Sequence, residues 1–181
     1  MSLDPALITR KPGARYFLPT HDEWYKAAYY DPLLPGADAM GTPDYWFYPT
    51  RSDALPTEAM CDGIGDVVNP GPNVANTCRG ADWNGENGNV TTVGGCLAPS
   101  PWGIFDLGGN VGEMTETPGT PIPPDIPTRR LRGGDFANTI TLLGSPAFLA
   151  GSLNMLAEGA NIGFRIAALE RTLPIETRDA P

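Results

Sequence analysis

Trp102-Gly-Ile-Phe-Asp-Leu-Gly-Gly-Asn-Val-Gly-Glu-Met114 holds two acids, Asp106 and Glu113, within eight residues of otherwise apolar, glycine-rich sequence. Carboxylates that close suit a hard cation, because Gly108 and Gly109 let the backbone turn and aim carbonyl oxygens inward beside the acids. The plain alternative is a strand, a glycine turn and a second strand whose acids face water. The pattern is looser than a twelve-residue EF-hand loop, so spacing alone leaves both readings open.

Outward from this stretch lie three further blocks: Phe17-Leu-Pro-Thr-His-Asp-Glu-Trp-Tyr-Lys-Ala-Ala28, Leu131-Arg-Gly-Gly-Asp-Phe136 and Asn161-Ile-Gly-Phe-Arg-Ile-Ala167. In chain order the four resemble the "RLPTEAEWEKAA", "YGLYDMhGNVWEW", "VLRGGSW" and "GFRVA" signatures of the formylglycine-generating enzyme family. Four ordered motifs between Arg15 and Ala168 are much more specific than any one of them. The resemblance implies an α+β domain with the C-type lectin fold of the formylglycine-generating enzyme type. Such a domain has little regular secondary structure, short twisted antiparallel strands and long loops. The chain then divides into an arm over 1–14, the domain over 15–169 and a tail over 170–181. Relative to the family it begins late, since nothing matches the strands and helix that usually precede "LPT". It therefore reads as a minimal version or a C-terminal portion.

Composition agrees with a loop-rich domain. The chain's 181 residues suffice for one domain with a core, and 22 glycines and 20 prolines favour turns over helix. A net charge of −9 argues against nucleic acid or an anionic membrane as partner. No apolar run approaches the roughly 18 residues of a membrane span, so no membrane insertion is expected. No charged-then-apolar leader opens the chain, which leaves the compartment open, surface display included. Cys61, Cys78 and Cys96 lack CxxC spacing, so zinc is not expected. Cys78 and Cys96 form one disulfide, or all three are buried thiols; the sequence permits either.

Thr20 to Glu23 is a capping box, predicting a helix to about Tyr30 that Asp31-Pro32 ends. Its buried face is expected at Trp24, Ala27 and Ala28, with His21 exposed in the first turn. His21 is the sole histidine, and one histidine cannot build the three-histidine iron site of the family's sulfoxide-synthase relatives. Tyr45-Trp-Phe-Tyr48 is either packing against this helix or a ligand platform. Pro118 to Pro127 is expected to be an extended, exposed loop. Leu131 to Phe136 is expected as a strand with Gly133 and Gly134 permitting close approach. Arg165 is expected to be buried or half-buried and bonded to loop carbonyls.

The resemblance assigns a structural calcium to the central stretch, with Asp106 and Glu113 as side-chain ligands and Gly109 and Val111 contributing carbonyls. A comparable "AN" segment implies a second calcium at Asn76 and the Thr77 carbonyl, with Glu86 or Asn87 standing in for a displaced acid. A solvated Asn/Gly loop is the alternative there. Gly112 replaces the family's usual Trp, which should open space at the surface above the site.

Active members of the family hold copper with a cysteine pair just after "RGGS", because Cu(I) prefers soft thiolates. Asn138 and Leu143 occupy those positions, and no cysteine lies between Gly133 and Gly163. No Ser-His-Asp set or phosphate loop replaces them. A non-enzymatic binding module is the expectation, with a copper-dependent oxidase or a plain structural relative as the alternatives. Residues Asp135 to Asn154 are apolar and small, and where relatives carry "LASSYR" this chain has Leu153 and Asn154 for the Tyr and Arg. The segment also resembles the "RGGSW…NIGFR" end of variable proteins of diversity-generating retroelements, which diversify AAC or AAT codons and so never yield Met, Trp, Lys, Gln or Glu. None of those five occurs between Asp135 and Asn154; chance would do this about one time in ten. The resemblance implies a receptor-like protein with its variable face in 135–162, taking a protein or other surface ligand. Contact residues are expected at Phe136, Asn138, Ile140, Leu142, Phe148, Leu153 and Asn154.

Overall fold

The computed structural model of the protein describes residues 9–34, 44–121, 126–146 and 152–169. Among them regular structure is sparse: one α-helix, eight short strands and a 3-10 helix, joined by long loops. This is the α+β, lectin-like architecture expected from the motifs. Of the flanking segments, residues 1–8 and 170–181 lie outside the description, as does contact residue Phe148.

Strand β1 (Tyr16–Phe17) leads into helix α1 (His21–Tyr29). The capping box forms as read: the Glu23 amide donates to Thr20 Oγ1 at 3.1 Å and the Thr20 amide to Glu23 Oε2 at 2.8 Å. Trp24, Ala28 and Tyr29 are buried, whereas Ala27 is only half-buried. Position 29 completes the i, i+4 and i+5 stripe that turns toward the sheet. His21 is half-buried, not exposed. Burial and the nearby Arg132 and Arg130 lower its pKa.

Strands β2 (Thr57–Glu58) and β3 (Val74–Ala75) form a two-residue parallel pair. The main sheet follows, built from β4 (Gly112–Pro118), β5 (Thr128–Arg132), β6 (Ser152–Asn154) and β7 (Ile162–Phe164) in the order β6-β5-β4-β7. β4 pairs antiparallel with β5 and parallel with β7, so Glu113 stands opposite both Arg132 and Gly163. The strand expected over 131–136 therefore lies earlier. It ends at Arg132, where Gly133 and Gly134, at φ +89° and +68°, turn the chain. The segment expected as an exposed loop is mixed: Pro118 ends β4, Pro118, Thr120 and Pro121 are exposed, Gly119, Ile126 and Pro127 are half-buried, and 122–125 lie outside the description.

Strand β8 (Ala167–Ala168) closes antiparallel on β1 and joins the two ends of the domain. The expected arm is docked at Arg10, with Thr9 and Lys11 to Gly13 exposed. Arg10 bonds Glu116 through its amide and Nε, at 3.1 and 2.8 Å, and forks onto Glu23.

Among the described residues the core is three small clusters: Trp24, Ala28, Tyr29 and Leu107; Ala59, Val74, Cys96 and Ala98; Tyr48, Ala75 and Leu143. The 45–48 aromatics pack. Tyr48 is buried, Tyr45 lies 5.5 Å from the Tyr25 ring, and the Trp46 indole bonds Asp31. Clusters this small leave the loops to be fastened by buried polar groups. The three thiols are free, so the Cys78–Cys96 bridge is not formed. Burial pushes the Cys96 thiol up to about 11.

Candidate functional site

The turn from Asp106 to Val111 is where loops, helix and sheet meet. Asp106, Gly109 and Asn110 all have positive φ, at 56°, 80° and 63°, a region that Asp, Asn and Gly enter most easily. Gly109 is required there for a second reason. A Cβ would overlap the carbonyl oxygen of Asn76 and lie 2.9 Å from its carbon. The backbone of the 76–77 segment and the central turn are thus in direct contact, which brings both expected cation sites together.

Asn110 ties the junction. Its amide donates to the Asn76 carbonyl at 2.8 Å, and its Oδ1 accepts from the Thr91 amide at 2.9 Å and Asn76 Nδ2 at 3.1 Å. Its own carbonyl accepts the Phe136 amide at 3.0 Å. Nothing in the sequence reading singled out Asn110; its place after Gly108-Gly109, where a left-handed residue is needed, was the available signal. Asn76 is 1% exposed, and its Oδ1 has no hydrogen-bond partner among the described residues. Thr77 is fully buried, with its carbonyl accepting the Gly80 amide and its hydroxyl donating to the Asn138 carbonyl at 2.7 Å.

Asp106 and Glu113 meet different partners. Asp106 Oδ2 accepts the Gly94 amide at 2.7 Å, and burial raises its pKa above the ordinary carboxylate value. Glu113, 4% exposed, is compensated within the protein. Its Oε2 accepts from the Trp24 indole at 2.6 Å and from Arg165 Nε at 2.6 Å, and its Oε1 pairs with Arg165 Nη2. The same Nη2 donates to the carbonyls of Phe105 and Asp106, each at 3.3 Å. Arg165 therefore bonds loop carbonyls as expected, and in addition supplies the positive charge between Asp106 and Glu113. Val111 packs its side chain against Gly163.

Gly112 does not open a space. It is buried, and a Cβ there would stand 2.9 Å from Leu131 Cδ2, because the leucine on the neighbouring strand fills the room. Arg132, opposite Glu113, is buried beneath α1, with its guanidinium 5.2 Å from the rings of Trp24 and Tyr25 and 6.0 Å from Tyr29.

The expected contact face is only partly a surface. Phe136 is buried, since its backbone is clamped between Asn110 and Arg79, and it is withdrawn as a contact residue. Asn138, Ile140, Leu142, Leu153 and Asn154 are half-buried. Asn138 spends its Oδ1 on the Asp135 amide at 3.1 Å, and its carbonyl accepts the Cys78 amide. Leu143, in the 3-10 helix Ile140–Leu143, is fully buried with its carbonyl bonded to the Tyr29 hydroxyl.

No curated protein matches the chain in sequence. Among solved structures, the crystal structure of CarF is similar over 89% of this chain and 51% of CarF, at 18% identity and a TM-score of 0.48. The chain spans about half the length of CarF. The model of the sulfatase-modifying factor enzyme 1-like domain matches residues 6–169, which include all four motifs, the Arg165–Glu113 pair and the turn between them. The chain belongs to the sulfatase-modifying factor enzyme 1-like, or formylglycine-generating enzyme, family.

Proposed function

We propose that this domain is a binding module that carries out no redox chemistry on a scaffold it shares with formylglycine-generating enzymes. The observation that carries the reading is the content of positions 138 and 143, where active relatives hold copper. Asn138 is spent on backbone bonds, and Leu143 is core. The segment from Gly133 to Gly163 has no thiol that would bind Cu(I). A copper-dependent oxidase would consume oxygen with a thiol-bearing substrate peptide; here no oxygen uptake above the buffer rate is expected.

The finer reading is a receptor-like variable protein, with a protein or other surface ligand contacting Asn138, Ile140, Leu142, Leu153 and Asn154. The residue types missing between 135 and 154 support it. Genomic sequence tests it: a near-copy of the segment encoding 135–162 should lie near the gene and differ only at adenines. A locus without such a copy leaves a non-diversified binding module.

A structural calcium at the central turn belongs to the same proposal. Its support is the buried Asn76 Oδ1, which has no hydrogen-bond partner among the described residues, and the half-buried Asp106 carboxylate, whose desolvation outweighs the nearby charge of Arg165. Gly109, Val111 and Thr77 would contribute carbonyls, and Glu113 would join only by sharing itself with Arg165. With its pKa raised in the fold, Asp106 favours stability most below the ordinary carboxylate range. That contribution falls as pH rises through the elevated pKa, and is least favourable at neutral pH. Asp106→Asn should therefore raise the melting temperature in chelator at pH 7 by about 2–4 °C. It should also abolish the rise that calcium gives the unmodified protein. No calcium-dependent rise in the unmodified protein would remove the metal from the account.

A further inference from the structure

A cleft of about 370 Å³ lies between α1 and the start of the central stretch, lined by Glu23, Lys26, Ala27, Trp102 and Ile104. Its size is that of small-ligand pockets. Trp102 is 52% exposed, whereas Trp24 is buried. The indoles of Trp24, Trp46 and Trp83 donate to Glu113, Asp31 and the Val90 carbonyl. The Trp102 indole has no acceptor among the described residues; only its backbone amide is bonded, to Ser100. Lys26 forms no ion pair among the described residues. Its ammonium stands 5.0 Å over the Tyr30 ring, which in turn stacks on Trp102 at 6.3 Å and 24°. Glu23, the one acid at the rim, shares Arg10 with Glu116 and is engaged in the helix cap.

Among the described residues the hollow thus stands beside a cation in no ion pair, over the Tyr30 ring, and an indole N–H without an acceptor, on the ring stacked against that tyrosine. An occupant should bring an apolar, flat body to Trp102, Ile104 and Ala27, and an anionic acceptor to Lys26. We propose that this cleft binds small aromatic carboxylates. The site uses no residue of the 135–162 segment and stands independently of the reading given to that face.

Calorimetric titration of the full chain with 2-naphthoate, and with the neutral 2-naphthylmethanol, tests it. Naphthoate should bind saturably at one site, more tightly than the alcohol. Lys26→Gln should weaken naphthoate about five-fold and leave the alcohol unchanged. Ala27→Leu, a good helix former at a half-buried position, should fill the floor and abolish binding of both, with the melting temperature retained. The proposal is overturned if the unmodified protein shows no saturable binding into the millimolar range. It is equally overturned if Ala27→Leu binds as before, or if Lys26→Gln treats acid and alcohol alike.

Discussion

Glu113→Ala should destabilise the domain by about 3–5 kcal/mol, the cost of leaving one partner of a buried ion pair uncompensated. The substitution removes the acceptor for the Trp24 indole and both acceptors for Arg165. Arg165 cannot escape cheaply, because its Nη2 is also held by the carbonyls of Phe105 and Asp106. Glu113→Gln keeps an acceptor for the indole but not the charge, and should recover about 1–2 kcal/mol of the loss. Urea denaturation in chelator measures both. The chelator matters: a loss of full size without calcium identifies Glu113 as the partner of Arg165. A loss that appears only with calcium identifies it as a metal ligand.

Gly109→Ala should cost about 2–5 kcal/mol, from two causes that add. A left-handed conformation is unfavourable for alanine by about 1–2 kcal/mol, and forcing a methyl into packed backbone costs about 1–3 kcal/mol. The atom it meets is the Asn76 carbonyl oxygen, which also accepts the Asn110 amide. Backbone cannot rotate aside as a side chain would, so the junction between the two loops must open. Gly103→Ala is the control, since Gly103 has φ +76° but nothing within 4 Å of a Cβ. It should show the conformational cost alone. Equal losses at the two positions would mean that the Asn76 contact carries no weight.

Local chemistry was the most legible part of the sequence. Thr20 and Glu23 named the helix start because a capping box is a short-range arrangement needing no tertiary partner. The four motifs named the fold because their order, more than any single residue, is specific. Arg165 was expected on loop carbonyls and is there. Its stronger attachment to Glu113 was missed, because a chain reading cannot say which cation a buried acid meets 52 residues away. Phe136 and Gly112 failed for a related reason. Both positions were judged from residue type, yet burial was decided by neighbours: Asn110 and Arg79 clamp the Phe136 backbone, and Leu131 closes over Gly112. His21 was expected in water because it opens a helix, but that end of α1 lies near Arg132 and Arg130.

The proposed absence of redox chemistry rests on Asn138 and Leu143 standing where the resemblance places the family's copper-holding cysteines. Titration of the reduced chain with Cu(I) against a competing chromophoric chelator tests this most directly. The chain should leave the chelator's copper complex intact, with no thiolate-to-copper absorption and no change in melting temperature. A one-to-one Cu(I) complex that withstands the chelator and is lost on replacing Cys78, the thiol whose backbone bonds Asn138, would contradict it.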